Sequence, residues 1–160
     1  MIVLLDSGPL GLATHPRANA EALACQAWLR SLVAEGHLVL VPEIIDYEHR
    51  RELLLRNALN ALARLDAYRA NDAFLPVSEA AYLRAAEFWA DARRRGIPTA
   101  DKLALDIDMI LCAQAATLDP ADFGRGTDRQ TGVAAETIIV ATTNVTHLTP
   151  FVDARHWQAV

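Results

Sequence analysis

The chain has 160 residues, 52% of them apolar and few aromatic, with a net charge of −5. That length carries one full core, and the acidic balance excludes nucleic-acid binding through a global basic field. No apolar stretch is long enough to span a bilayer, and no basic segment followed by an apolar one stands at the N-terminus. A cytoplasmic location is therefore expected.

Met1-Ile2-Val3-Leu4-Leu5 reads as a buried strand that ends at Asp6. Gly8 and Pro9 are expected to break it and turn the chain. Residues 19–34 are rich in helix formers, and Ala20, Leu23, Ala24, Ala27 and Trp28 recur at helical spacing as an expected apolar face. A second strand is expected over 38–41, between Gly36 and Pro42, which makes a strand–helix–strand unit and a parallel sheet. Pro42 can open the next helix, carrying Ile44, Ile45, Tyr47, Glu48 and Leu53 to Leu55, and a further helical stretch covers 58–68. Residues 74–77 form a short third strand. Ser78 starts a helix that runs to Arg95, where Gly96-Ile97-Pro98 stops it. A nearly all-apolar, and so buried, helix is expected over 106–118. A polar loop with Gly124 and Gly126 follows over 119–134. Residues 137–142 form a late strand, and the tail 156–160 is expected as an edge strand. The whole reads as one α/β domain, 1–160.

Cys25 and Cys112 stand alone in Ala-rich helical segments, so they read as small buried hydrophobes in a reducing compartment, and no histidine pairs with them at zinc spacing. Basic residues cluster at His49-Arg50-Arg51 and Arg93-Arg94-Arg95. A solvated helix face is the first reading of each cluster, and a polyanion groove is the alternative.

Four positions carry candidate chemistry, and each has an ordinary explanation. Asp6 would cap a following helix. Glu48 would pair with Arg51. Asp106 would cap the buried helix, and Asp108 would sit in its first turn against the helix dipole. Together they read differently. A carboxylate entering a buried helix or ending a buried strand is costly unless paired or bound to metal. Asn144, just after the late strand, adds an amide that can ligate a hard cation or orient water. Oxygen donors of this kind suit Mg²⁺ or Mn²⁺, which lower the pKa of bound water and stabilise in-line displacement at phosphorus. Phosphate-loop, dinucleotide-fingerprint and nucleophile-elbow motifs are absent. Ser7 has no histidine placed for a triad and is expected to hydrogen-bond Asp6 or cap the next helix.

These residues resemble the PIN domain family. Ile2-Val3-Leu4-Leu5-Asp6-Ser7-Gly8-Pro9-Leu10 looks like its opening strand and Asp. Val41-Pro42-Glu43-Ile44-Ile45-Asp46-Tyr47-Glu48-His49-Arg50-Arg51 is similar to its second motif, with Glu48 about two turns beyond a strand. Asp108-Met109-Ile110-Leu111-Cys112-Ala113-Gln114-Ala115 resembles the third. Ile139-Val140-Ala141-Thr142-Thr143-Asn144 resembles the last. Resemblance to the VapC-like branch implies a three-layer fold with a central parallel sheet flanked by helices, often dimeric. It also implies a metal-dependent endoribonuclease, commonly the toxin of a toxin–antitoxin pair, with an RNA substrate and an antitoxin partner. By that resemblance Asp6, Glu48 and Asp108 are the metal carboxylates for Mg²⁺ or Mn²⁺, and Asn144 completes the catalytic pocket.

The chain departs from the family pattern at His147, where many relatives carry an acid. Packing in a loop is its first reading; contact with phosphate or water is the other. Asp106 and Asp108 point about 200° apart on a helix, so the metal is assigned to Asp108 and the cap to Asp106. Asp101 is expected to start a separate turn. Arg50, Arg51 and Arg93 to Arg95 are candidate backbone contacts. Two rivals remain. One is a catalytically weak binding module on the same fold. The other is a phospho-receiver domain, which usually needs a lysine after the late strand, whereas Lys102 is the only lysine here.

Overall fold

Strand β1 (Ile2–Leu5) is buried at every residue. Successive side chains of a strand point to opposite faces, so the sheet around β1 is covered on both sides. That explains why its sequence is a continuous apolar run rather than an alternating one. The computed structural model describes residues 1–16, 19–96, 102–125 and 136–160, with backbone only at 102–104. Asp101, the stop signals Ile97 and Pro98, and the loop from Gly126 to Ala134 lie outside the described residues.

β1 pairs in parallel with β2 (Leu38–Pro42) on one side and β4 (Ile138–Thr142) on the other, in the register Val3–Val39 and Val3–Ile139. β3 (Phe74–Leu75) and β5 (Ala154–His156) form the edges, giving the order β3-β2-β1-β4-β5 with every pairing parallel. The chain steps outward from β1 to β3, then returns to the other side for β4. Between β1 and β4 the direction of progression reverses, and the crevice beyond the carboxyl ends there is the usual ligand position of such sheets. The first and late strands thus lie side by side.

Helices α1 (Ser7–Thr14), α2 (Ala20–Ala34), α3 (Glu43–Leu55), α4 (Leu59–Ala70), α5 (Glu79–Arg94), α6 (Lys102–Thr117) and α7 (Val145–Leu148) connect the strands. Caps fix several starts. Asn19 accepts from the Ala22 amide and Ser78 from the Ala81 amide, which satisfies donors that a helix end leaves open. Asp46, buried on α3, takes both arms of Arg50, which also reaches Asp66 on α4. This three-residue clasp fixes the α3–α4 corner and with it the helix that carries Glu48.

Four expectations are corrected. Gly8 and Pro9 do not turn the chain away; they lie in the first turn of α1, where proline loses no hydrogen bond. The buried stripe of α2 is Ala22, Cys25, Leu29 and Leu32, whereas Ala20, Leu23, Ala24 and Ala27 face solvent and Trp28 is half-buried. Apolar residues surround this helix, so periodicity alone offered two competing stripes. α6 begins at Lys102, so Asp106 is no N-cap and Asp108 stands in the second turn, not the first. The tail contributes only His156 to β5. Trp157 instead turns inward on a 3₁₀ turn and packs against Trp28 at 5.5 Å.

Candidate metal and active site

Asp6 ends β1 with its amide donating to the Ala141 carbonyl of β4. Its carboxylate accepts from the Ser7 amide at 2.6 Å and from the Thr142 hydroxyl at 2.6 Å. The helix-cap reading of Asp6 is therefore real, and it does not compete with a functional one, because the cap is what aims the carboxylate. Thr142 is fully buried, and its hydroxyl oxygen also accepts from the Asn144 amide at 2.8 Å. It joins the ends of β1 and β4. Thr142 was legible only as the last residue of a strand; its role depends on the pairing of β1 with β4. Ser7 is correctly placed beside Asp6, but through its amide, while its hydroxyl faces Glu48.

Glu48 is half-buried on α3. Burial, and then the charge of Asp6, raise its carboxyl above the usual range; the Ser7 hydroxyl and the Arg51 charge oppose the rise. Asp108 on α6 is raised further, to about 6, by burial first, then by Asp6 and Glu48, with His147 opposing. Three carboxylates from β1, α3 and α6 thus feel one another's charge. Asn144 is exposed, and its side-chain nitrogen lies 3.1 Å from His147 Nδ1, which stands 3.7 Å from the Asp108 carboxylate. His147 is accordingly a helix residue turned to the acids rather than a loop-packing residue.

The donor chemistry is all oxygen plus one imidazole, which fits a hard divalent cation. Among the described residues, however, no three His, Cys, Asp or Glu side chains stand close enough to enclose an ion by themselves. A cation here would need water to complete its shell, as Mg²⁺ commonly does. Cys112 lies one turn beyond Asp108, and burial pushes its thiol far up; Cys25 is pushed up to about 11. Both behave as the buried hydrophobes expected.

The basic clusters resolve differently. Burial lowers the pKa of the His49 imidazole, and its Nε2 lies 2.7 Å from the Thr14 hydroxyl. Arg50 is consumed by Asp46 and Asp66. Arg95 pairs with Asp91, and Arg93 lies over the Trp89 ring, so this end of α5 fits the solvated-face reading. A recess of about 850 Å³ lies away from the carboxylates, between α2 and α4. It is lined by Leu29, Val33 and Tyr68, with Arg30 and Arg64 beside them.

Solved structures share this fold over nearly their whole length. VapBC2 from Rickettsia felis, bound to a DNA fragment from their promoter, matches with a TM-score of 0.67 at 13% identity, covering 98% of this chain and 99% of that one. FitAcB from Neisseria gonorrhoeae matches at 0.62 and 17%, covering 99% of each chain. VapBC-1 from nontypeable Haemophilus influenzae matches at 0.55 and 12%, with the same coverage. No family model and no curated protein sequence matches the chain. The likeness is one of fold. It bears out the PIN-like three-layer architecture, a central parallel sheet flanked by helices.

Proposed function

We propose that this chain is a divalent-metal-dependent endoribonuclease, a hydrolase of RNA phosphodiester bonds, and the toxin of a type II toxin–antitoxin pair. The observation that carries the reading is that Asp6, at the carboxyl end of β1, Glu48 and Asp108 feel one another's charge, with burial and repulsion lifting Asp108 to about 6. Such a concentration of negative charge is unfavourable without a cation, and at neutral pH Asp108 is still mostly ionised and able to ligate one. The VapBC and FitAcB fold neighbours support the toxin–antitoxin side of the reading.

Asp6, Glu48 and Asp108 would hold Mg²⁺ or Mn²⁺, which supplies an activated water and neutralises charge on the phosphate. The chain's own residues do the positioning. Ser7 and Thr142 fix both Asp6 oxygens, so this carboxylate enters the site in one orientation. Asn144, tied to Thr142 through its amide, presents its side chain at the open rim to orient water. His147 stands between Asn144 and Asp108 and steadies both.

Asp6→Asn tests the assignment. Asparagine caps helices as well as aspartate does, so the variant should fold. Its Mn²⁺-dependent cleavage of RNA should fall by about a hundredfold or more. Undiminished cleavage would remove Asp6 from the site.

A second reading is a binding module that acts through its partner. It is favoured by the spacing of the acids, which among the described residues sets no three His, Cys, Asp or Glu side chains close enough to enclose an ion. Melting in rising Mn²⁺ separates the two, since a filled site stabilises by mass action and a binding module shows no response.

For the partner, the α2–α4 recess suits an amphipathic segment of an antitoxin, with its apolar side on Leu29 and Val33 and acidic residues toward Arg30 and Arg64. A homodimer would cover the exposed Tyr82, Leu83 and Trp89 on α5. Residues 1–160 would act as one domain in the cytoplasm; no described helix is long and apolar enough to cross a membrane.

A further inference from the structure

We propose that Tyr47 and Arg51 form the strand-holding handle of this site: an unpaired base of single-stranded RNA stacks on the Tyr47 ring while the Arg51 guanidinium holds the adjoining phosphate. The inference rests on the nuclease reading and adds the residues that grip the substrate. Tyr47 and Arg51 are four residues apart on α3, hence on one face, and the guanidinium lies 5.6 Å from the ring centroid. Tyr47 is 57% exposed, which is unusual for so large a ring and leaves it open for stacking.

Position distinguishes this pair from the other arginine–aromatic contacts of the chain. Glu48, a proposed metal carboxylate, directly follows Tyr47 and lies one turn before Arg51, and the Arg51 charge is felt at Glu48. Arg51 makes no ion pair among the described residues, whereas Arg50, Arg56, Arg69 and Arg95 each have a carboxylate partner. A polyanion approaching three carboxylates meets repulsion, so an uncommitted cation at their edge is the group that admits it. Successive helix residues point about 100° apart, which sets Arg51 between Tyr47 and Glu48 around α3, at the edge of the carboxylates. Aromatic faces take any base, and a duplex offers none unstacked, so the handle selects single strands without reading sequence.

The test uses short oligoribonucleotides carrying 2-aminopurine at successive positions, bound to the Asp6→Asn protein so that the strand survives. Fluorescence should be quenched at one position. Adding Tyr47→Ala should weaken binding about tenfold and abolish that quench, while Tyr47→Phe keeps both. Arg51→Ala should lower the slope of log affinity against log salt by about 0.7. The proposal is overturned if Tyr47→Ala changes neither affinity nor fluorescence, or if the same strand in a duplex binds equally well. It is also overturned if Tyr47→Ala changes the oligomeric state, which would make Tyr47 a subunit contact. In those cases wild-type cleavage with Mn²⁺ leaves the nuclease reading standing. A wild-type protein that neither binds nor cleaves RNA overturns both.

Discussion

Asp108 shows how a single side chain carries the site's electrostatics. Its carboxyl is raised to about 6 in the folded chain, against about 3.9 when unfolded. Between those values the folded state holds a proton that the unfolded state has lost. The metal-free protein should therefore be most stable below about pH 4 with respect to this group, and lose that stability as pH rises through about 6. At neutral pH the ionised Asp108 is a burden that Asp108→Asn removes. We expect the variant to melt a few degrees higher in chelator, a gain of roughly 1–2 kcal/mol once solvent screening of the partly exposed group is allowed for. It should also lose any Mn²⁺-induced rise in melting temperature. Calorimetry at pH 4 and pH 7, with chelator and with Mn²⁺, checks both; a lower melting temperature for Asp108→Asn at pH 7 would contradict the crowded-carboxylate picture. Asp106, only two residues away, was legible as lying off this face, but the cap expected of it is not there, because α6 already begins at Lys102.

At the scale of elements, the approach of α1 to the end of β4 decides the geometry. A Cβ added to Gly8 would lie 2.5 Å from Thr143 Oγ1 and 3.3 Å from Thr143 Cβ. Glycine is thus needed because the helix that Asp6 caps passes directly over the strand end bearing Asn144. Gly8→Ala should cost about 1–3 kcal/mol in denaturant melts, and Thr143→Ala in the same chain should recover most of the loss. Equal stability of Gly8→Ala and the parent would show that the contact is soft. Gly8 and Pro9 also explain one misreading. Gly-Pro after a strand is a common turn signal, yet here the Asp6 cap and the tolerance of proline in a first turn let a helix start at once. α2 gives a parallel lesson. Its sequence specifies a helix but offers apolar residues on more than one side, and only the neighbours beneath it choose Cys25 and Leu32 over Leu23 and Ala24.

For the whole molecule, the separation of two surfaces matters. The carboxylates sit beyond the strand ends, while the α2–α4 recess lies elsewhere on the surface. A partner seated in that recess is therefore open to mutation without touching the chemistry. Val33 is 62% exposed on its wall, so Val33→Glu should cost little stability. It should weaken binding of the proposed antitoxin about tenfold or more, with RNA cleavage unchanged, as titration calorimetry and a cleavage assay would show. Unaltered binding would place the partner elsewhere.

The sequence by itself determined the three central strands, the helices α2 to α6, their order and the residue types at the strand ends, but not α1, α7 or the bounds of β5. Apolar runs and turn residues are local signals; Asp6, Asp108 and Asn144 could be picked out because each follows or enters such a run, and Glu48 through the segment that resembles the second PIN motif. Their electrostatic meeting was decided only by the tertiary structure. Parallel pairing of β1 with β4 sets Asp6 beside Thr142, the Asp46–Arg50 clasp holds the helix of Glu48, and α7 turns His147 toward Asp108. Those arrangements join residues far apart in the chain. Their energies come from burial and charge that no local window of sequence contains.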